Sequence, residues 1–99
     1  MQYNCQRSYV VMCELGQPMS ENKVGVALLQ EPFLRCKKVC GLPTGMQIFL
    51  AFDGKAAVVV RKASLECMLL TECTDDRGVC VWIIGAFGEM YIVSVYCLL

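Results

Sequence analysis

The chain has 99 residues, which is enough for at most one small domain, and 57% of them are apolar, which excludes an intrinsically disordered segment. Nine basic and nine acidic side chains cancel, so no overall charge attracts the chain to nucleic acid or to an anionic membrane. Any such partner must be bound at a local site.

Eight cysteines would indicate a disulfide scaffold in a secreted protein of this size. The first residues, MQYNCQRSYV, lack the basic region and the continuous apolar core of a signal peptide. We therefore expect reduced thiols that are mostly buried and that pack as small apolar side chains. A zinc site is disfavoured, because the sequence contains no CxxC pair and no histidine.

The chain begins with a short strand in MQYNC, and QRSYVVMCEL follows with apolar residues at helical spacing. We expect Ser8 or Asn4 to cap this helix. Pro18 predicts that the helix stops or bends near Gly16, because an interior proline costs roughly 3 kcal/mol. Five of the six residues from Val24 to Leu29 are apolar, which is typical of a strand buried on both faces.

Five further β-rich runs follow, namely MQIFLAF, KAAVVVRK, ECMLLTEC, VCVWIIGAF and EMYIVSVYCLL. Turn residues stand between them at Asp53-Gly54, at positions 75–78 and from Gly85 to Gly88. One strand-helix-strand unit followed by successive strands predicts an α/β (α+β) fold, with one mixed sheet and a helix on one face. No repeat, linker or domain boundary is visible, so residues 1–99 are expected to form one unit.

The segment from Val79 to Leu99 could form either a membrane span or a hairpin. It contains 21 residues with one charged side chain, Glu89, and is long enough to cross a bilayer as a helix. Its β-branched and aromatic residues, and the interruption at Gly85 and Gly88, favour a β-hairpin. No basic cluster flanks the segment to orient a span. We therefore predict the hairpin.

A carboxylate follows the second strand directly, in the stretch LLQEPF. Ligands bind at the ends of buried strands, and Glu31 has this position. If the first two strands are neighbours, Asn4 and Glu31 meet at one rim, where their oxygen atoms suit Mg²⁺ and a phosphate. The alternative is that Asn4 caps the helix and Glu31 is a solvated loop residue, and spacing alone favours this alternative.

The order of QYNCQRSY, VALLQEPF, GLPTGMQIF, KAAVVVRK and GEMYIVSVYC resembles the first part of the apurinic/apyrimidinic-type endonuclease domain of non-LTR retrotransposons. That domain belongs to the endonuclease/exonuclease/phosphatase superfamily, which has the DNase I-like αββα sandwich fold. The resemblance implies that residues 1–99 are the N-terminal part of such a domain. It also implies that Glu31 is the metal ligand, that Asn4 lies by the metal and the scissile phosphate, and that Tyr96 contacts the phosphate. Gln30 is expected to help orient Glu31.

The same resemblance implies that residues are missing. The family's Asp-x-Asn pair and its final Asp and His are expected beyond Leu99, and the sequence contains no histidine. We therefore expect at most half of an active site, in a chain that is catalytically silent by itself. We also expect about one sheet and one helix without the facing layer, and self-association through the exposed apolar sheet.

For the full-length domain, the resemblance implies hydrolysis of DNA with Mg²⁺ or Mn²⁺ as cofactor, target-site nicking in the nucleus, and neither a small-molecule cofactor nor a membrane partner. An interpretation from another class is a small apolar structural or membrane microprotein that is a relic of such an element. Downstream codons for the missing motifs and for a reverse transcriptase favour the endonuclease. Membrane partitioning of the expressed chain favours the microprotein.

Three further features each allow two interpretations. The basic stretch RCKK, Arg35 to Lys38, could contact the DNA backbone, although a solvated loop is the more usual role. Asp75-Asp76 could be a catalytic carboxylate pair, but the neighbouring threonine and glycine favour a turn. Trp82 and Phe87 could stack on bases, but an aromatic residue in an apolar strand is usually part of the core.

Overall fold

The computed structural model describes residues 2–20, 25–35, 38–42, 45–61, 66–85 and 88–96. These residues form one α-helix, α1 (Tyr9–Ser20), a 3₁₀ helix (Thr71–Cys73), and the strands β1 (Gln2–Asn4), β2 (Val26–Gln30), β3 (Leu34–Arg35), β4 (Lys38–Val39), β5 (Met46–Leu50), β6 (Ala56–Arg61), β7 (Glu66–Leu69), β8 (Gly78–Gly85) and β9 (Gly88–Val95). Each predicted β-rich run therefore contains a strand, although the run ECMLLTEC ends in the 3₁₀ helix.

The first sheet is mixed, with the strand order β1-β2-β6-β5. β1 and β2 are parallel, with Asn4 in register with Gln30, whereas β6 pairs antiparallel with both β2 and β5. β6 is buried on both faces, since Val58 and Val60 contact one apolar cluster and Val59 contacts another. β2 also packs apolar side chains on both faces, which confirms the prediction for this strand.

The second sheet is antiparallel, with the order β7-β8-β9, and it faces the first sheet. Val79, Val81 and Ile83 of β8 pack in one buried cluster with Val58 and Val60 of β6. The mixed sheet with its helix is therefore present as predicted, but the expectation that the facing layer is missing is wrong. The strand patterns do not say which strands share hydrogen bonds, so they could not assign the later strands to a second sheet.

The outer face of the second sheet is also apolar. Trp82 lies on this face, because its neighbours Val81 and Ile83 point between the sheets. Its indole is half-buried, and its partners in register, Met68 and Tyr91, are 55% and 64% exposed. Trp82 is therefore not part of the core between the two sheets, and the prediction that it is a core residue is wrong in this sense. Position 87 lies outside the described residues.

Ser8 caps α1, since its Oγ accepts a hydrogen bond from the Val11 N–H at 3.3 Å. Met12 holds the helix against the first sheet, where it is fully buried in a cluster with Leu29. The helix continues to Ser20, so it does not stop near Gly16, and the other expected outcome, a bend near Gly16, stays a prediction. A proline has a φ value that suits a helix, and it removes one backbone hydrogen bond without requiring the helix to end.

The six cysteines within the described residues are free thiols, and their exposure varies from buried (Cys5, Cys80) through half-buried (Cys40, Cys67) to exposed (Cys13, Cys73). The expectation of mostly buried thiols is therefore wrong for this part of the chain, and positions 36 and 97 lie outside it. The exposed thiols lie outside the sheets, Cys13 on α1 and Cys73 in the 3₁₀ helix, where less of the chain packs over them. Burial raises the pKa of Cys5 to about 11.

β8 and β9 form an antiparallel hairpin that extends to the pair Gly85 and Gly88, which confirms the predicted hairpin. Gly88 has a φ of 109°, which glycine adopts without steric strain. No helix in the described ranges is both long enough and apolar enough to cross a membrane.

Candidate functional site

The carboxyl ends of β1 and β2 meet at one rim of the first sheet. The parallel pairing is extended beyond the strands, because the Cys5 N–H donates to the Gln30 carbonyl at 2.8 Å and the Arg7 N–H donates to the Glu31 carbonyl at 2.7 Å. The structure therefore places Asn4 and Glu31 at the same rim, hereafter the strand-end rim. Their roles in catalysis remain predictions.

Three residues at the strand-end rim have a left-handed backbone, namely Gln6 (φ 51°), Arg7 (φ 56°) and Glu31 (φ 51°). Elsewhere in the described ranges, positive φ values occur only at glycine. This conformation costs a residue with a side chain roughly 1–2 kcal/mol. Strained backbone of this kind persists where surrounding contacts enforce it, and it is concentrated at functional sites. None of the three positions carries a glycine or asparagine, so the sequence showed no sign of them.

Backbone hydrogen bonds fix Glu31 on both sides. Its N–H donates to the Lys55 carbonyl at 2.8 Å, and its carbonyl accepts the bond from Arg7. The following residue, Pro32, is buried, and the Glu31 side chain is half-buried. The carboxylate is thus attached to a rigid backbone, as a metal ligand requires.

Tyr96 follows β9 and connects the second sheet to the strand-end rim. Its N–H donates to the Arg77 carbonyl at 2.8 Å, and its ring centroid lies 5.6 Å from the Lys55 ammonium. The hydrogen bond between its hydroxyl and the Glu31 carboxylate, together with burial and the charge of that carboxylate, raises the pKa of Tyr96, while Arg7 and Arg77 oppose this shift. The hydroxyl therefore stays protonated at neutral pH and is the hydrogen-bond donor in its contact with the Glu31 carboxylate.

Cationic side chains surround the contact between Glu31 and Tyr96. Arg7 and Arg77 act on the Tyr96 hydroxyl through their charge, and Lys55 lies over its ring. Lys55 is also paired with the Asp53 carboxylate at 3.9 Å, so the positive charge that favours an anion such as a phosphate comes mainly from Arg7 and Arg77. None of these three cations was identified as a site residue from the sequence. Lys55 could have been, because it directly precedes the buried strand β6 and so lies at a strand end.

A polar link joins β2 to β9 behind Glu31. Gln30 donates from Nε2 to the Ser94 Oγ at 3.3 Å, and the Ser94 hydroxyl donates to the Leu29 carbonyl at 3.0 Å. Ser94 is 2% exposed, so these bonds satisfy a hydroxyl that is buried between the sheets. Gln30 thus holds the end of β2, and its role in orienting Glu31 remains a prediction. The serine in the apolar run YIVSVY was the signal that could have revealed this link.

Asn4 stabilises the turn that leaves β1. Its Oδ1 accepts a hydrogen bond from the Gln6 N–H at 2.9 Å, whereas Ser8 caps the helix. An amide oxygen has two lone pairs, so Oδ1 keeps one for a further partner. The alternative interpretation is therefore wrong for Asn4, which does not cap α1. For Glu31 it stays open, because this residue is half-buried and lies outside the strands, directly before Pro32.

The oxygen donors at the strand-end rim suit a hard cation. Mg²⁺ is usually held by one or two protein carboxylates and completes its shell with water and phosphate oxygens. Glu31 supplies one carboxylate, and Asn4 supplies an amide oxygen at the same rim. In the part of the chain that the structure describes, no three His, Cys, Asp or Glu side chains converge on one point, so these residues do not enclose a metal by themselves.

Two of the remaining sequence features lie on short hairpins and turns. Arg35 and Lys38 are exposed and in register on β3 and β4, and both interpretations of this basic stretch stay open. Asp75 Oδ1 accepts hydrogen bonds from the Arg77 N–H at 2.9 Å and the Gly78 N–H at 2.7 Å. This geometry confirms that Asp75 forms a turn.

No protein-family model matches the chain. The chain is 36% identical over 97 residues to a 115 kDa protein of the type-1 retrotransposable element R1DM of Drosophila melanogaster, a match that covers 98% of the chain and 10% of that protein. It is also 38% identical over 65 residues to the retrovirus-related Pol polyprotein of the type-1 retrotransposable element R1 of Bradysia coprophila, which covers 61% of the chain and 6% of the polyprotein.

A solved structure has the same arrangement of sheets and helix. It is the endonuclease domain of TRAS1, a telomere-specific non-LTR retrotransposon, with a TM-score of 0.82 and 29% sequence identity. The match covers 98% of the chain and 44% of that domain, so the chain spans less than half of the solved domain and a tenth or less of the curated relatives. By sequence the chain is therefore similar to proteins of R1 retrotransposable elements, and by fold it is similar to part of the endonuclease domain of a non-LTR retrotransposon.

Proposed function

We propose that the chain forms the metal-binding part of the active site of a DNA endonuclease, which hydrolyses a phosphodiester bond and nicks target DNA in the nucleus. The observation that carries this proposal is the contact between the Glu31 carboxylate and the Tyr96 hydroxyl. It joins the ends of the two sheets at a rim whose backbone is strained and whose surroundings are cationic. The likeness to the TRAS1 endonuclease domain supports the same function.

In this proposal, Glu31 is the ligand of a divalent cation, Mg²⁺ or Mn²⁺, and Asn4 Oδ1 lies beside it. The Tyr96 hydroxyl occupies one lone pair of the carboxylate and orients the group, so further lone pairs remain for the cation. When bound, the cation stabilises negative charge that develops on the phosphate and on the leaving oxygen. Gln30 and Ser94 keep the end of β2 in place through the polar link to β9.

The DNA backbone would be held by charge at the same rim. Arg7 and Arg77 supply local positive charge in a chain whose net charge is zero, while Lys55 is paired with Asp53 at 3.9 Å. Contacts of cations with phosphates position a nucleic acid without reading its sequence. A groove of about 310 Å³ next to the rim provides space for the strand, and it is lined by Arg7, Pro32, Phe33, Leu34, Asp53 and Gly54.

Paramagnetic broadening by Mn²⁺ tests the metal site directly. In NMR spectra of the chain, we expect Mn²⁺ to broaden the amide signals of Asn4, Gln30 and Lys55 first, because a cation on the Glu31 carboxylate lies near all three. Glu31→Gln should abolish this broadening, since the amide keeps the size of the side chain but removes its charge. The readout needs no catalysis.

Glu66→Gln is the matched control, because Glu66 is an exposed carboxylate at the start of β7. This variant should leave the Mn²⁺ pattern unchanged. Broadening that persists in Glu31→Gln, or that centres on another part of the chain, would contradict the assignment of Glu31 as the ligand.

A further inference from the structure

Two cysteines outside the strand-end rim are held close together at the start of β8. Cys73 is the last residue of the 3₁₀ helix, and Cys80 lies on β8. The backbone of Leu70 is hydrogen-bonded to the backbones of both. The Leu70 N–H donates to the Cys80 carbonyl at 2.9 Å, and the Cys73 N–H donates to the Leu70 carbonyl at 3.1 Å. The 3₁₀ helix is thus folded back onto β8.

Thr74 fixes this arrangement from the other side. Its hydroxyl donates to the Leu70 carbonyl at 2.8 Å and accepts a hydrogen bond from the Cys80 N–H at 3.2 Å. The residue is 6% exposed, so both bonds are largely shielded from water. The backbone on both sides of the cysteine pair is therefore anchored.

The two thiols differ in their access to solvent. Cys73 is exposed, whereas Cys80 is 5% exposed under the 3₁₀ helix. Burial raises the pKa of Cys80, and the hydrogen bond and charge of the neighbouring Cys73 thiol raise it further. Both are free thiols, so a soluble reagent reaches Cys73 first and the product lies against Cys80.

We propose that Cys73 and Cys80 are a site of reversible oxidation, at which a peroxide converts the two thiols into a disulfide. The Cys73 thiolate attacks one peroxide oxygen, which breaks the O–O bond and gives a sulfenic acid and, after protonation, one water. The Cys80 sulfur then attacks the sulfenic sulfur, the S–S bond forms, and the oxygen leaves as a second water. The two thiols lose two hydrogen atoms and the peroxide is reduced to two waters.

The disulfide would secure a turn that contacts two other parts of the molecule. This turn, residues 74–78, accepts backbone hydrogen bonds from Phe52 to Asp75 at 2.9 Å, from Asp53 to Asp76 at 3.2 Å and from Tyr96 to Arg77 at 2.8 Å. Oxidation at its base therefore restrains the backbone of Tyr96 without involving its side chain.

Peptide mapping tests the disulfide in the intact chain. The folded chain is treated with hydrogen peroxide, its remaining thiols are alkylated in denaturant, and it is cut with trypsin. Because trypsin cleaves after Arg77, the disulfide should link two peptides, residues 63–77 and 78–99, and fragmentation should assign it to Cys73 and Cys80. Dithiothreitol should release the two peptides.

Three comparisons decide the outcome. Cys73→Ser should lose the linked peptides, and Cys13→Ser, which removes an exposed thiol on α1, should keep them. In the oxidised chain, hydrogen exchange at the Tyr96 amide should be slower than in the reduced chain. The proposal is overturned if the folded chain forms no such link, or if the link is no more abundant than other cysteine pairings in a guanidinium-unfolded sample.

Discussion

Glu31 and Tyr96 are candidate site residues because they contact each other. Either residue alone is a common type, but the hydroxyl of Tyr96 lies beside the carboxylate of Glu31 at the strand-end rim. Asn4 and Glu31 could be placed at one rim from the sequence, because parallel strands end on the same side. Ser94 could not be linked to Gln30 in this way, since 64 positions separate them and only the packing of two sheets brings them together.

At the residue scale, we predict that the Tyr96 hydroxyl titrates above its ordinary pKa and that Glu31→Gln lowers this pKa, because the variant removes the charge that disfavours tyrosinate. A pKa that is raised on folding stabilises the chain at pH values below that of the unfolded tyrosine, about 10. This contribution is lost as the pH rises through the folded pKa. The measurement is tyrosinate absorbance against pH, as the difference between the wild type and Tyr96→Phe.

The same titration of Glu66→Gln serves as the control, since this exposed carboxylate lies at the start of β7. It should reproduce the wild-type curve. A curve for Glu31→Gln that coincides with the wild type would show that Tyr96 does not contact the Glu31 carboxylate in solution.

At the scale of elements, β6 and β8 form the centre of the molecule. Both are continuous apolar runs, and the sequence identified them as strands. A continuous run has no alternation that marks an inner face, so the pattern could not show that Val81 and Ile83 face β6 while Trp82 faces outward. The apolar spacing and the cap identify the helix in the sequence, but Pro18 does not mark its end. The packing of Met12 against the first sheet helps to hold the helix, and this contact is not visible in the sequence.

For the core between the sheets, we predict that Ile83→Ala lowers the free energy of unfolding by about 2–5 kcal/mol. Ile83 is 1% exposed and lies in the cluster between the sheets, so its truncation removes buried contacts and leaves a cavity. Urea denaturation followed by circular dichroism measures the change.

Ile48→Ala on β5 is the matched substitution, because this side chain is 36% exposed. We expect its effect to be below about 1 kcal/mol. Equal losses in the two variants would mean that the cluster between the sheets does not hold them together.

At the scale of the whole molecule, two layers of sheet enclose a core although the chain covers 44% of the solved endonuclease domain. The fold class was predictable because motif order and strand runs agreed along the whole chain. The outer face of the second sheet keeps Met68, Tyr91 and Val93 about half exposed or more. Self-association through this face remains a prediction, since exposed apolar area does not identify the partner that covers it.

We predict that the chain of 99 residues does not nick supercoiled DNA in the presence of Mg²⁺. In our proposal Glu31, Asn4 and Tyr96 hold a cation and a phosphate, but the resemblance places the residues that handle the attacking water outside these 99 positions. Removing members of a catalytic unit costs orders of magnitude in rate. Agarose gel electrophoresis of plasmid DNA incubated with the purified chain measures the conversion to the nicked form.

Glu31→Ala is the control for contaminating nucleases. Nicking that appears with the wild-type chain and disappears with this variant would contradict the prediction. Nicking of equal extent with both proteins would come from another enzyme and would leave the chain itself inactive.

The left-handed backbone of Glu31 is unfavourable for stability, whereas the proposed function requires a carboxylate at this position. Glycine adopts a φ of 51° without steric strain, so the backbone at this position favours glycine over any residue that carries a carboxylate. Glu31→Gly would relieve the strain and remove the proposed ligand in the same step. A glutamate at this position is thus a residue that folding alone would not select, and replacements chosen only for thermal stability would tend to eliminate the site.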